Sequence, residues 1–166
     1  CAIALLLSVG RLLGAPDYFT ELFDPGTNDT NFQSWLFTPD ASESFYRVLR
    51  TDGVTAFPTD PAGGTNVTLS DDEAIQVTLS GGQQVSHYGV SYPSFFIGSN
   101  GYVTFGAGDD EYVESLASHF NLPRVAAVFD DLFPPTGGTI SWRQLADRFS
   151  FTDTAATEIY TGIANS

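Results

Sequence analysis

The chain of 166 residues sets twenty Asp and Glu against six Arg and no Lys, a formal net charge of −14. That length holds one domain with a real core and not two comfortable ones. A surface of this sign repels phosphate backbones and anionic headgroups, so nucleic-acid and membrane-surface binding are both disfavoured, while charge itself keeps such a chain soluble.

In chain order, Ala2 to Val9 is an apolar run broken by Gly10, and Leu12 to Pro16 adds a second short apolar patch with small residues. The run has the length of a signal-peptide core and falls far short of the roughly 20 residues that a membrane-spanning helix needs. Residues 1–15 are therefore expected to be a signal-peptide remnant, with no membrane insertion after cleavage, and residues 16–166 a single domain. The competing reading is a buried N-terminal helix, which the lack of a polar face disfavours. Cys1 precedes the apolar run and is expected to leave with it, so the mature domain would have no disulfide and no thiol chemistry.

Strand-like segments follow. Tyr18 to Phe23 and Phe32 to Thr38 flank the loop DPGTNDTN, and Phe45 to Arg50 alternates with Tyr46, Val48 and Arg50 on one face. Asn66 to Leu69 and Ala74 to Leu79 are separated by the acidic turn Ser70-Asp71-Asp72-Glu73. Phe95 and Ile97 lead into Ser99-Asn100-Gly101, and Tyr102, Val103 and Phe105 lead out of it. Asn-Gly between alternating hydrophobics predicts a hairpin with a type I′ turn. Glu111 to Phe120 is expected to be the one helix, limited to two or three turns by Pro123. Val125 to Phe129, Thr139 to Trp142 and Phe149 to Thr152 complete the strands, and Ile159-Tyr160 is the only later apolar pair. Many short strands with turn signals between them predict an all-β antiparallel sandwich with one short helix, cut off at its C-terminal end.

Three motifs stand in order within residues 85–152: Tyr88-Gly89 and Tyr92 leading to Ser99-Asn100-Gly101 and Val103-Thr104-Phe105; Pro123, Val125-Ala126 and Phe129-Asp130-Asp131-Leu132 with Pro134; then Gly137-Gly138, Ile140 and Trp142. Together they resemble the nidogen-like class of extracellular β-rich modules found in large secreted or surface proteins. The resemblance implies a secreted or cell-surface location, a non-catalytic role in adhesion or matrix assembly, and an extracellular protein or glycan as partner. An alternative is a carbohydrate-binding accessory domain of a larger secreted hydrolase.

Candidate chemistry is sparse. Asp24, Asn28, Asp29 and Asn31 form a dense oxygen-ligand cluster around Gly26, which a structural Ca²⁺ ion could use. The loop departs from the EF-hand spacing, and an ordinary Asx-rich turn is the favoured reading. Asp130 and Asp131 invite a small secreted hydrolase, but neighbouring residues of a strand point to opposite faces, so a turn-capping role is preferred. His87 and His119 lack zinc-ligand spacing. The paired glycines have no following Lys and read as turns, not phosphate cradles. No catalytic residue and no organic cofactor is therefore expected. Tyr88, Tyr92, Tyr102 and Tyr112 are the candidates for a carbohydrate-stacking platform, against the simpler expectation that they pack in the core.

Overall fold

The computed structural model describes residues 20, 23–24, 29–56 and 63–153. The expected signal segment 1–15, the strand over 18–23 apart from Thr20 and Phe23, Asn28 of the proposed ligand loop and the pair Ile159-Tyr160 lie outside the described residues.

Among the described residues, eleven strands pair antiparallel: β1 (Gln33–Pro39), β2 (Tyr46–Asp52), β3 (Thr65–Val67), β4 (Ala74–Thr78), β5 (Val85–His87), β6 (Val90–Tyr92), β7 (Ser94–Gly98), β8 (Tyr102–Thr104), β9 (Arg124–Ala126), β10 (Ile140–Gln144) and β11 (Phe149–Asp153). A four-stranded sheet in the order β4-β7-β8-β9 and a three-stranded sheet in the order β11-β10-β3 supply the core, with the hairpins β1-β2 and β5-β6 beside them. The expected all-β sandwich is what the chain forms.

Alternation decides which side chains meet. In β7, Phe95 and Ile97 point to one face and are fully buried, joined there by Val77 of β4 and Val103 of β8. The opposing sheet contributes Ile140, Phe149 and Phe151, with Trp142 and Val67 packed at the margin. The ring of Phe95 stacks on Phe149 at 4.3 Å between centroids and meets Trp142 edge-on at 6.3 Å. This aromatic triplet joins the two sheets, because burying such rings is the largest apolar contribution that single residues can make.

The short strand β8 is buried on both faces. Val103 faces the sandwich core, whereas Tyr102 and Thr104 face outward and are covered by the segment that follows them. The Tyr102 hydroxyl donates to the carbonyls of Asp109 (3.2 Å) and Glu111 (2.9 Å), and that of Thr104 donates to Ala107 O (2.7 Å). Those bonds also explain why the helix is shorter than expected. With its carbonyl turned toward Tyr102, Glu111 does not open a helix, and only Leu116–His119 (α1) winds, capped by Ser115 Oγ accepting from Ser118 N at 3.0 Å.

Phe95→Ala should remove about 3–5 kcal/mol of unfolding free energy. Urea denaturation should show a lowered midpoint with an unchanged slope, because the native and unfolded surfaces are otherwise the same.

Candidate functional site

The Ser99-Asn100-Gly101 turn is the centre of the polar architecture. Gly98 pairs with Tyr102, so the turn has three residues, with Gly101 left-handed at φ +77° and Asn100 not at positive φ. This is a three-residue hairpin loop ending in a left-handed glycine, not the expected type I′ turn. The two-residue primed geometry occurs instead at Tyr88-Gly89, where both φ values are positive, between β5 and β6.

Unlike an ordinary hairpin tip, the Asn100 turn is buried. Asn100 is 0% exposed, and its amide is fully used: Nδ2 donates to Asp72 Oδ1 (2.9 Å) and Glu111 O (3.2 Å), while Oδ1 accepts from Leu132 N (2.9 Å). Ser99 Oγ accepts from Glu73 N (3.0 Å), and Ser99 N donates to Glu73 O (2.9 Å). A Cβ on Gly101 would stand 1.9 Å from Val128 O. One turn thus gathers the acidic loop 70–73, the covering segment 109–111 and the Asp130-Asp131-Leu132 segment.

That convergence concentrates negative charge. Oxygens of Asp71, Asp72 and Asp131 lie within 4.8 Å of one another, a hard-oxygen arrangement whose chemistry suits a cation. The Asp131 carboxyl is held above the usual carboxylate range by partial desolvation, then by the charges of Asp72, Asp71, Asp130 and Glu114. In the same loop, Glu73 is shifted the other way because Ser70 N (2.7 Å) and Ser70 Oγ (2.8 Å) both donate to its carboxylate.

The paired carboxylates do not converge as a catalytic dyad would. Asp130 Oδ1 accepts from Asp131 N at 3.0 Å, a local turn bond, while Asp131 faces Asp71 and Asp72. In the sequence the 71–73 run and the 130–131 pair stand far apart. Their meeting through buried Asn100 left no trace in spacing.

Beneath the covering segment, Arg124 is buried. Its Nη2 pairs with Asp109 Oδ2, and its guanidinium lies 4.1 Å from the Tyr102 ring and 4.7 Å from that of Phe129. Among the described residues Nε and Nη1 have no hydrogen-bond partner, and the guanidinium packs against both rings. Its charge, second to burial, also lowers the His119 pKa.

The tyrosine candidates separate. Tyr102 is 1% exposed with its hydroxyl turned inward, which removes it from any stacking platform. Tyr92 is half-buried against Phe105 at 5.2 Å, whereas Tyr88 and Tyr112 are exposed. Tyr88 meets Tyr46 edge-on at 4.9 Å, and its N–H donates to the Tyr46 hydroxyl at 3.1 Å. His87 stacks on Phe105 at 5.0 Å, and burial alone lowers its pKa to about 4. Of the oxygen-ligand loop, Asp24, Asp29 and Asn31 are exposed, and Asp29 O accepts from Gln33 Nε2 at 2.7 Å. A shallow depression of about 360 Å³ between the 80–83 turn and residues 144–146 is lined by Gln83 and Gln144, which bond to each other and to Ser80 and Ala146.

These features define an antiparallel sandwich module whose covering segment and buried asparagine turn share one set of hydrogen bonds. Residues 46–145 match the model of the family described as NIDO related, more than half of the chain, and the chain belongs to that family. The match extends upstream of the three motifs to include β2, β3 and β4, and it points to an extracellular context. No curated protein and no solved structure matches the chain. Among the described residues, no helix is long and apolar enough to cross a membrane.

Two outcomes follow from the charges. Asp131 has a raised folded pKa, so its ionisation opposes folding above the carboxylate range; Asp131→Asn should raise Tm at neutral pH by about 1–2 °C. Near pH 3 the difference should vanish, because the carboxyl is then protonated in both states. For His87 the sign reverses: a depressed folded pKa gives stability present above about pH 6.5 and lost toward about pH 4. Replacing His87 with Phe should remove up to about 3 kcal/mol of acid sensitivity across that window, read from urea midpoints at each pH.

Proposed function

We propose that the chain is a non-catalytic module of a secreted or cell-surface protein, serving adhesion or matrix assembly. The observation that carries this reading is how the polar side chains of the three motifs are used. Asn100 in the Ser-Asn-Gly motif bonds Asp72, Glu111 and Leu132; Thr104 in the Val-Thr-Phe motif bonds Ala107; Asp130 in the Asp-Asp-Leu motif bonds its own neighbour. Groups held this way position backbone and surface, and do not present a nucleophile with an adjacent base.

Membership of the NIDO-related family supports the extracellular part of the proposal. The strongly negative surface supports it too, since it favours solubility and charge-selective contact over membrane or nucleic-acid association.

Incubating the chain with peptide and glycoside substrates should give no turnover above that of an Asp130→Asn/Asp131→Asn variant. Turnover lost in that variant would sink the proposal in favour of a hydrolase. In parallel, the immobilised chain should retain extracellular protein and give a flat response on a glycan array. A clear glycan signal would favour the accessory carbohydrate-binding role.

A further inference from the structure

The convergence at Asn100 also shapes a surface. Glu111 O and Leu132 N lie on the two sides of one buried amide group, at 3.2 and 2.9 Å, so the next residues, Tyr112 and Phe133, start from adjacent points. Tyr112 is 47% exposed, Val113 51%, Leu116 42% and Phe133 48%. Exposed large hydrophobics gathered in one region mark an interaction surface more often than isolated ones do.

Acids border the same region. Asp71, Asp72 and Asp131 are brought within 4.8 Å of one another, and Glu114, between Val113 and α1, is among the carboxylates whose charge acts on Asp131. Among the described residues, the charges acting on Asp131, those of Asp72, Asp71, Asp130 and Glu114, are negative. The side chain of Arg124 is 1% exposed and committed to Asp109. The chain as a whole carries −14 and no lysine, and here acids alternate along the chain with exposed apolar residues, Glu114 between Val113 and Leu116 and Asp131 two positions before Phe133.

We propose that Tyr112, Val113, Leu116 and Phe133, with Asp71, Glu114 and Asp131, form a docking surface for a cationic polypeptide segment whose Lys or Arg residues flank an aromatic or aliphatic anchor. The occupant is chosen by complementarity. A metal ion offers nothing to the exposed apolar side chains, and a second copy of this chain would bring another net charge of −14 to an acidic surface. A basic segment neutralises the carboxylates, while its anchor removes apolar surface from water. The inference rests on the non-catalytic reading and names the partner chemistry of that module.

The probe is a fluorescein-labelled peptide alternating Lys and Phe, followed by fluorescence anisotropy with the full chain, with an oligolysine of equal charge as control. Binding should weaken about tenfold in Asp71→Asn/Glu114→Gln/Asp131→Asn, and by a similar factor between about 50 and about 300 mM NaCl. Leu116→Ser/Phe133→Ser should weaken the Lys–Phe peptide and leave the oligolysine unchanged. Asp72 is left intact because it bonds Asn100. The charge variant removes no apolar contact and reads the proposal even where the apolar variant fails to fold.

Equal binding of both peptides, or equal binding by wild type and the charge variant, would reduce the effect to net charge and overturn the proposal. So would dimerisation in sedimentation that the same variants abolish, which assigns the face to a second copy. Ca²⁺ stabilisation lost in the charge variant, with no peptide binding, would assign the acids to a metal instead. None of these outcomes touches the non-catalytic reading, which substrate turnover tests separately.

Discussion

Everything distinctive about this molecule depends on burying one primary amide. Asn100 sits at the tip of the β7–β8 hairpin, a position that normally faces water, yet it is 0% exposed. A buried amide left unpaired is costly, so the fold requires partners for both ends of the group. The chain supplies them from three separate segments, at Asp72, Glu111 and Leu132. These bonds link loops separated by 28, 11 and 32 residues, tying the acidic turn, the covering segment and the Asp-Asp-Leu segment into one unit.

The arrangement also explains the distribution of charge. Drawing loops 70–73 and 130–132 to one turn brings carboxylates together and raises the Asp131 pKa, a modest repulsion offset by the hydrogen bonds that position the loops. On the neighbouring face, a cation does go inside: Arg124 packs against the edge-to-face pair Tyr102 and Phe129 and pairs with Asp109. Removing Asp109 would leave that guanidinium buried without its counter-charge, whereas losing a surface acid leaves nothing buried behind. The covering segment is therefore held from below by an ion pair and from the side by Asn100.

Much of the sandwich was legible in the sequence because its signals are local. The alternation through Phe95 and Ile97 placed those residues inside, and Asn100-Gly101 marked a reversal between β7 and β8. Tyr46 and Val48 turned to the more buried side of β2, as its period of two required. What was not legible depends on contacts distant in sequence. The helix expected over 111–120 shrank to 116–119 because Tyr102 and Asn100 both bond the Glu111 carbonyl. Tyr102, a surface candidate by residue type, is covered by that same segment. The acid cluster likewise joins residues some sixty positions apart, and the family match reaches upstream to Tyr46, well beyond the motifs that local pattern exposes.

The Asn100 amide locks the three segments into the folded core. Native-state hydrogen exchange on the backbone N–H of Leu132, which donates to Asn100 Oδ1, tests it most directly. This amide should exchange as slowly as those of β7 and β8, and Asn100→Ser should speed it together with loss of protection at Glu73 N, which donates to Ser99 Oγ. Exchange of Leu132 N–H at the rate of an open loop, with β7 and β8 still protected, would contradict it.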